Sequence, residues 1–164
     1  MLQSLKLVDV AKVVQGCPPA ALATAAGDGD YVSLKNYDRL TILLSVKNAT
    51  TVTGGVITLK QATAVAGTSE KALAFAKVWA NTDTDAGDTL TETAVTSDTF
   101  TTDTTNSKNL LYVIEVKADD LDRANGFDCV RIDSASMANA VGAALYVLHG
   151  TRYKSPAAVA AITD

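Results

Sequence analysis

Few side chains in this sequence carry reactive groups, and their spacing limits the chemistry available to them. His149 is the only histidine. It follows an apolar run and precedes Gly150-Thr151-Arg152. A catalytic imidazole needs a nucleophile or a carboxylate beside it, and the chain has no G-x-S-x-G elbow to supply one. His149 therefore reads as a structural residue near a strand end. Cys17 precedes Pro18-Pro19, and Cys129 falls in an expected strand. A Cys17–Cys129 disulfide is one reading; two thiols in a reducing compartment is the other, and the one favoured. One histidine and two cysteines cannot build a His- or Cys-rich zinc site. Asp83-Thr84-Asp85-Ala86-Gly87-Asp88 invites a calcium loop, but an EF-hand begun at Asp83 has Asp88 where glycine belongs and Ala94 where glutamate belongs. An irregular calcium site there, or at Asp119, Asp120 and Asp122, stands against solvated turns in which aspartate bonds its own backbone. Gly54-Gly55 lacks the spacing of a phosphate loop. Tyr31, Tyr37, Tyr112, Tyr146 and Tyr153 are either a sugar-stacking face or residues straddling core and surface. No catalytic, cofactor-binding or metal-binding residue is expected, and the chain is not read as an enzyme.

Composition points the same way. The 164 residues make one domain, with 27 alanines, 21 threonines and a net charge of −4. An acidic chain with 14 Lys+Arg and no basic block is a poor nucleic-acid binder. Lys6, Asp9 and Lys12 interrupt the apolar residues of the first fourteen, so no secretory apolar core is formed. No run approaches the roughly 18 apolar residues of a membrane span. The expectation is synthesis in a cytoplasm, with no nucleic-acid or membrane partner.

The elements that position these residues are mostly strands. Residues 1–30 read as an extended N-terminal arm, with one or two helical turns before Pro18-Pro19 ends any helix. The alternative is that this segment packs back on its own domain. Leu2, Leu5, Leu7, Val10, Val13, Val14, Pro18 and Pro19 are its expected protein-contact residues. From Tyr31 the pattern turns to strand periodicity. In Leu40–Lys47 the even positions are all apolar, while Leu43 is the exception among the odd ones, the signature of a half-buried strand. Further strands are expected at 56–65, 71–79, 89–95, 99–102, 109–117, 127–133 and 142–153. A tight turn at Ser97-Asp98 joins the third and fourth of these segments. The 71–79 segment has a short helix as its competing reading, because of its alanines. Residues 82–105 carry eleven threonines, which favour strands. Asp119–Asp122 suggests one helical turn, and Asn125-Gly126 a turn. In the last strand, Ala143, Leu145, Val147 and His149 share a face. Seven to nine strands with no intervening long helix make an all-β chain, an antiparallel β-sandwich or jelly-roll-like barrel. The division is arm 1–30, β domain 31–153 and C-terminal tail 154–164.

Several segments carry a family resemblance. They are Val32-Ser33-Leu34-Lys35-Asn36-Tyr37-Asp38-Arg39, Gly55-Val56-Ile57-Thr58-Leu59-Lys60-Gln61-Ala62 and Ala74-Phe75-Ala76-Lys77-Val78-Trp79. The threonine-rich segment, Leu111-Tyr112-Val113-Ile114-Glu115, Phe127-Asp128-Cys129-Val130-Arg131 and Ala144 to Gly150 complete them. Over residues 31–153 the chain resembles small structural proteins of tailed-bacteriophage and prophage heads. Proteins of that size among them are often capsid decoration, or cement, proteins. The resemblance implies a virion structural protein on the capsid surface. Its partners would be the major capsid protein lattice and copies of itself as a dimer or trimer, with no cofactor. Other phage components (major capsid, neck or tail) and a carbohydrate-binding module are the alternatives.

Overall fold

The structure is a computed structural model, and it describes residues 6–22, 29–134, 137–151 and 161–162. One helical turn, α1 (Leu7–Val10), leads into β1 (Ala11–Ala21). There follow β2 (Val32–Ser33), β3 (Tyr37–Asn48), β4 (Val56–Ala62), β5 (Lys71–Ala72) and β6 (Lys77–Asn81). Then come β7 (Thr91–Ala94), β8 (Thr99–Thr101), β9 (Asn109–Lys117), β10 (Cys129–Ser134) and β11 (Ala140–Thr151). They form two antiparallel sheets. One has the order β1-β11-β3-β9-β6-β7; the other runs β2-β10-β4-β5, with β8 also paired to β4. The result is a sandwich and not a closed barrel.

The core lies between the sheets and follows from the two-residue period of the strands. Leu40, Ile42, Leu44 and Val46 of β3 point inward beside Leu110, Tyr112, Ile114 and Val116 of β9 and Ala144, Tyr146 and Leu148 of β11. Ile57, Leu59, Val130 and Ile132 face them from the second sheet. Each such large side chain contributes about 1.5–3 kcal/mol by leaving water. In β11 the face shared by Ala143, Leu145, Val147 and His149 is the outer one; the alternate residues form the core.

The expectation of a free arm is corrected over residues 11–21. These residues form an edge strand registered to β11 from Ala11↔His149 to Ala21↔Val141. Two features make this possible. Gly16 lets the strand cross the ring of Tyr146, where an added Cβ would lie 2.4 Å from the ring. Pro18 and Pro19 fall within the second of two register breaks, the one between Cys17 and Ala20. An edge with bulges tolerates proline, because no ladder hydrogen bond is asked of its nitrogen. The sandwich therefore begins at residue 11 and not at 31.

Two further expectations meet corrections. Residues 71–79 do not make one strand: β5 belongs to one sheet and β6 to the other. The threonine-rich strands β7 and β8 likewise lie in different sheets and do not form a hairpin. The two crossings run side by side. Val95 N–H donates to the Ala76 carbonyl at 2.8 Å, and Phe75 N–H to the Ser97 carbonyl at 3.1 Å. Phe75 packs edge-on against Phe100 at this corner, with ring centroids 6.2 Å apart. Burying these rings draws both segments from sheet to sheet. In the expected tail, Ala161 is buried and its carbonyl accepts from Ser33 N–H at 2.6 Å.

Candidate protein-contact surface

The expected contact residues are only partly gathered. Leu2 and Leu5 lie outside the described residues. Leu7 and Val10 are exposed on α1, and Val13 is exposed on β1. Val13 stands opposite Val147 of β11 on the outer face of the six-stranded sheet. Val14, next in the chain, turns the other way and packs against the core. Pro18 and Pro19 are exposed at the sheet edge.

The outer face of that sheet carries an apolar row over its four central strands, between Gln15 of β1 and Glu92 of β7. The register sets Leu145 beside Leu43, Leu43 beside Val113, and Val113 beside Trp79, in one row over β11, β3, β9 and β6. Leu145 is 43% exposed and Val141, on the same face, 50%. A solvated face of an antiparallel sheet usually alternates to polar residues. A row of this kind is a candidate for burial against another surface. Val113, Leu145 and Trp79 were absent from the expected contact set. The runs Leu110–Val116 and Ala143–Leu148 carried the signal, since apolar residues at both parities mean two apolar faces.

A polar end borders this face. His149 Nε2 lies 2.8 Å from Thr41 Oγ1, and Thr41 Oγ1 donates to Glu115 Oε1 at 2.7 Å. The hydroxyl has one proton and gives it to the carboxylate, so His149 Nε2 is the donor to Thr41. In a hydrolase the imidazole takes the hydroxyl proton; here the order is reversed, and Thr41 is not activated. Beside this chain lie Arg39 and Lys117, registered to each other across β3 and β9.

The outer face of the other sheet is closed by its own charges. Lys60 pairs with Glu70 at 2.8 Å and with Asp133. Arg131 pairs with Glu70 at 2.9 Å and Asp133 at 3.2 Å, and lies over the Tyr31 ring. Tyr31 donates to Glu70 at 2.6 Å. Hydrogen bonds to Asp133 and then Glu70 raise Lys60 above the ordinary lysine range. The bonds from Lys60 and Tyr31 hold Glu70 below the ordinary carboxylate range. Burial, then the bond to Glu70, raises the Tyr31 phenol. Two cations meet two anions, so this face offers no net charge to a ligand.

The remaining candidates resolve into local structure. Asp83 pairs with Lys108, and Asp85 accepts from Asn109 Nδ2 at 2.8 Å. Asp122 pairs with Lys71 and accepts from Asn125, and Asp120 accepts from Lys117 N–H at 2.9 Å. Among the described residues no group of three acidic, His or Cys side chains is arranged to hold a metal ion. Tyr31, Tyr37, Tyr112 and Tyr146 are buried and form no stacking face; Tyr153 lies outside the described residues. Cys17 and Cys129 are buried thiols, not a disulfide. No helix of the described residues is long and apolar enough to cross a membrane.

No protein-family model matches the chain, and no curated protein matches it. Among solved structures it is similar to the SPBc2 prophage-derived protein YomS, at 12% sequence identity and a TM-score of 0.42. That match covers 84% of this chain and 92% of the other. A likeness that distant carries no argument for function.

Proposed function

We propose that this protein is a virion structural protein, a capsid decoration (cement) protein of a tailed-phage head, and not an enzyme. Its partners are the major capsid protein lattice and copies of itself, as a dimer or trimer, on the capsid surface. It needs no cofactor. The phage assignment rests on the sequence resemblance over residues 31–153. The observation that favours a binding role is the apolar row Leu145, Leu43, Val113 and Trp79 on the outer face, with Val13 and Val147 beside it. A sandwich with such a row on one outer face can bind through it without moving parts. Many copies on a lattice add weak contacts into firm attachment.

The test mixes purified protein with undecorated phage heads and reads occupancy by cosedimentation and electron microscopy. The wild-type protein is expected to coat the heads. Leu145→Asp and Val13→Asp place a charge on the apolar face and are expected to lower occupancy by at least about tenfold, equivalent to 1.4 kcal/mol. Both positions are exposed, so thermal unfolding should change little. Heads that remain bare with the wild type would sink the decoration reading. Unchanged occupancy in both variants would sink the assignment of this face.

A further inference from the structure

We propose that the open half of strand β1 is a self-association edge. Two copies of the chain pair their Ala11–Gln15 segments antiparallel, about a two-fold axis at Val13, and join two six-stranded sheets into one. The inference deepens the reading that copies of this protein associate. It rests on that part of the reading and not on the binding to heads.

The first ground is an edge guarded over only half its length. Strand β1 borders β11 alone and ends the six-stranded sheet. From Gly16 onward its free side is closed. The Gly16 carbonyl accepts from Asp30 N–H at 2.7 Å, and Pro18 and Pro19 stand in a register break. Prolines and bulges are the devices that keep a sheet edge from pairing with another chain. Between Ala11 and Gln15 the register with β11 is unbroken and there is no proline. Among the described residues no strand borders Val13, Val14 and Gln15 on that side. The other outermost strands are short. Strands β2 and β5 have two residues each, β8 has three and β7 four. An open edge offers its N–H and C=O groups to an added strand, and Ala11–Gln15 is the longest stretch that does so here.

The second ground is where the exposed apolar side chains gather. Leu7, Val8, Val10, Val13, Val141 and Leu145 are exposed on α1, β1 and β11. These elements are contiguous, since α1 packs against both strands. Among the described residues only Val56, Leu90 and Ile162 are large, apolar and exposed elsewhere. The open edge thus lies within the molecule's main concentration of exposed apolar surface, which is the mark of an interaction site.

Symmetry selects a second copy as the occupant. An antiparallel strand pair is its own mate under a two-fold rotation, so one edge supplies both sides of the contact. Pairing about Val13 sets Val13 directly against Val13 of the second copy on the outer face. Ala11 then stands opposite Gln15, and Lys12 opposite Val14. No like charges are directly opposed, whereas pairing about Lys12 would set lysine on lysine. Val147 lies beside Val13 on the same face. The pairing therefore runs Val147 and Val13 of one copy into Val13 and Val147 of the other.

Sedimentation equilibrium of the full chain across a dilution series, without heads, tests this. A monomer–dimer equilibrium is expected, no weaker at high salt, with slower amide exchange at residues 12–15 as dimer forms. Val13→Lys and Val13→Asp each place a charge against its own mate and are expected to weaken the dimer by at least about tenfold. Val13 is 42% exposed, so both variants should keep the wild-type unfolding midpoint when dilute. Mixed in equal amounts, they set lysine against aspartate and are expected to recover dimer. Unaltered association in both variants overturns the proposal, as does a mixture no more associated than its parts. Association lost in Leu145→Asp but kept in both Val13 variants overturns it in favour of contact through the outer face. A trimer, or fibres, overturns it in favour of a head-to-tail contact, because a two-fold pairing closes at two copies. A monomer at every concentration also overturns it, while the occupancy of heads is read separately and decides the decoration reading.

Discussion

At the scale of single residues, the tyrosines do more structural work than the histidine. Tyr146 is buried on β11, and its hydroxyl accepts from Ile132 N–H of the facing sheet at 3.0 Å. Past the end of β2, Ile132 has no strand neighbour on that side. Its carbonyl is taken by Gly29 N–H at 2.8 Å, and its N–H by Tyr146. A buried N–H left without a partner costs about 1–3 kcal/mol. We therefore predict that Tyr146→Phe lowers stability by about that amount, read from the urea midpoint, and speeds hydrogen exchange at Ile132. A midpoint within error of the wild type would show that the phenol does not hold the two sheets together. Tyr112 has a related role, accepting from Asp103 N–H at 2.7 Å. The sequence placed these tyrosines in strands of the right parity, but their hydroxyl partners lie in other elements and leave no mark in local spacing.

At the scale of elements, β1 decides what the N-terminal segment is for. Its eight registered pairs with β11 make it part of the sheet. It also covers the Tyr146 ring through Gly16. Two truncations should then behave differently. Removing residues 1–10 takes away exposed apolar residues and leaves the sheet whole, so the unfolding midpoint should hold. Removing residues 1–21 uncovers β11 and the Tyr146 ring, so the midpoint should fall and an apolar dye should bind. Equal stability of the two truncations would show β1 to be dispensable to the fold. Strands β3 and β9 were legible because their alternation is strong and their partners fill one buried face. Strand β1 was not, because Val13, Gln15, Pro18 and Pro19 lie exposed at an edge and leave no clean two-residue period. The sheet changes after β5 and β7 were hidden for another reason. Ala74, Ala76 and Thr96 fit a strand as well as a corner, and only the packing of Phe75 and Phe100 selects the corner.

At the scale of the whole molecule, the two outer faces differ in how they treat charge, and pH should reveal it. Glu70 and Asp122 are held below the ordinary carboxylate range, each first by a lysine. Their stabilisation is present above the unfolded values, about 4, and is lost as pH falls through the folded ones. Lys60 and Lys108 are raised by their carboxylate partners. Burial raises Tyr31, Tyr37, Tyr112 and Tyr146. Their contributions are full below the unfolded values, roughly 10, and decline as pH rises beyond, because the unfolded chain gives up protons first. We predict a flat stability profile between about pH 5 and 9 with losses on both sides. In Glu70→Gln the acid limb should be shallower, by urea unfolding at stepped pH; an acid limb of unchanged slope would refute the role given to Glu70. By itself the sequence determined the all-β class, the span of β9, the buried parity of β3 and the poverty of reactive side chains. These are local properties, set by the two-residue period and by composition. Only the tertiary structure decided that residues 11–21 are a sheet edge, that the threonine-rich strands part company, and that Leu145, Leu43, Val113 and Trp79 share one row. Those facts depend on which strands lie side by side, and strand order is settled by burial summed over the whole chain rather than by any one segment.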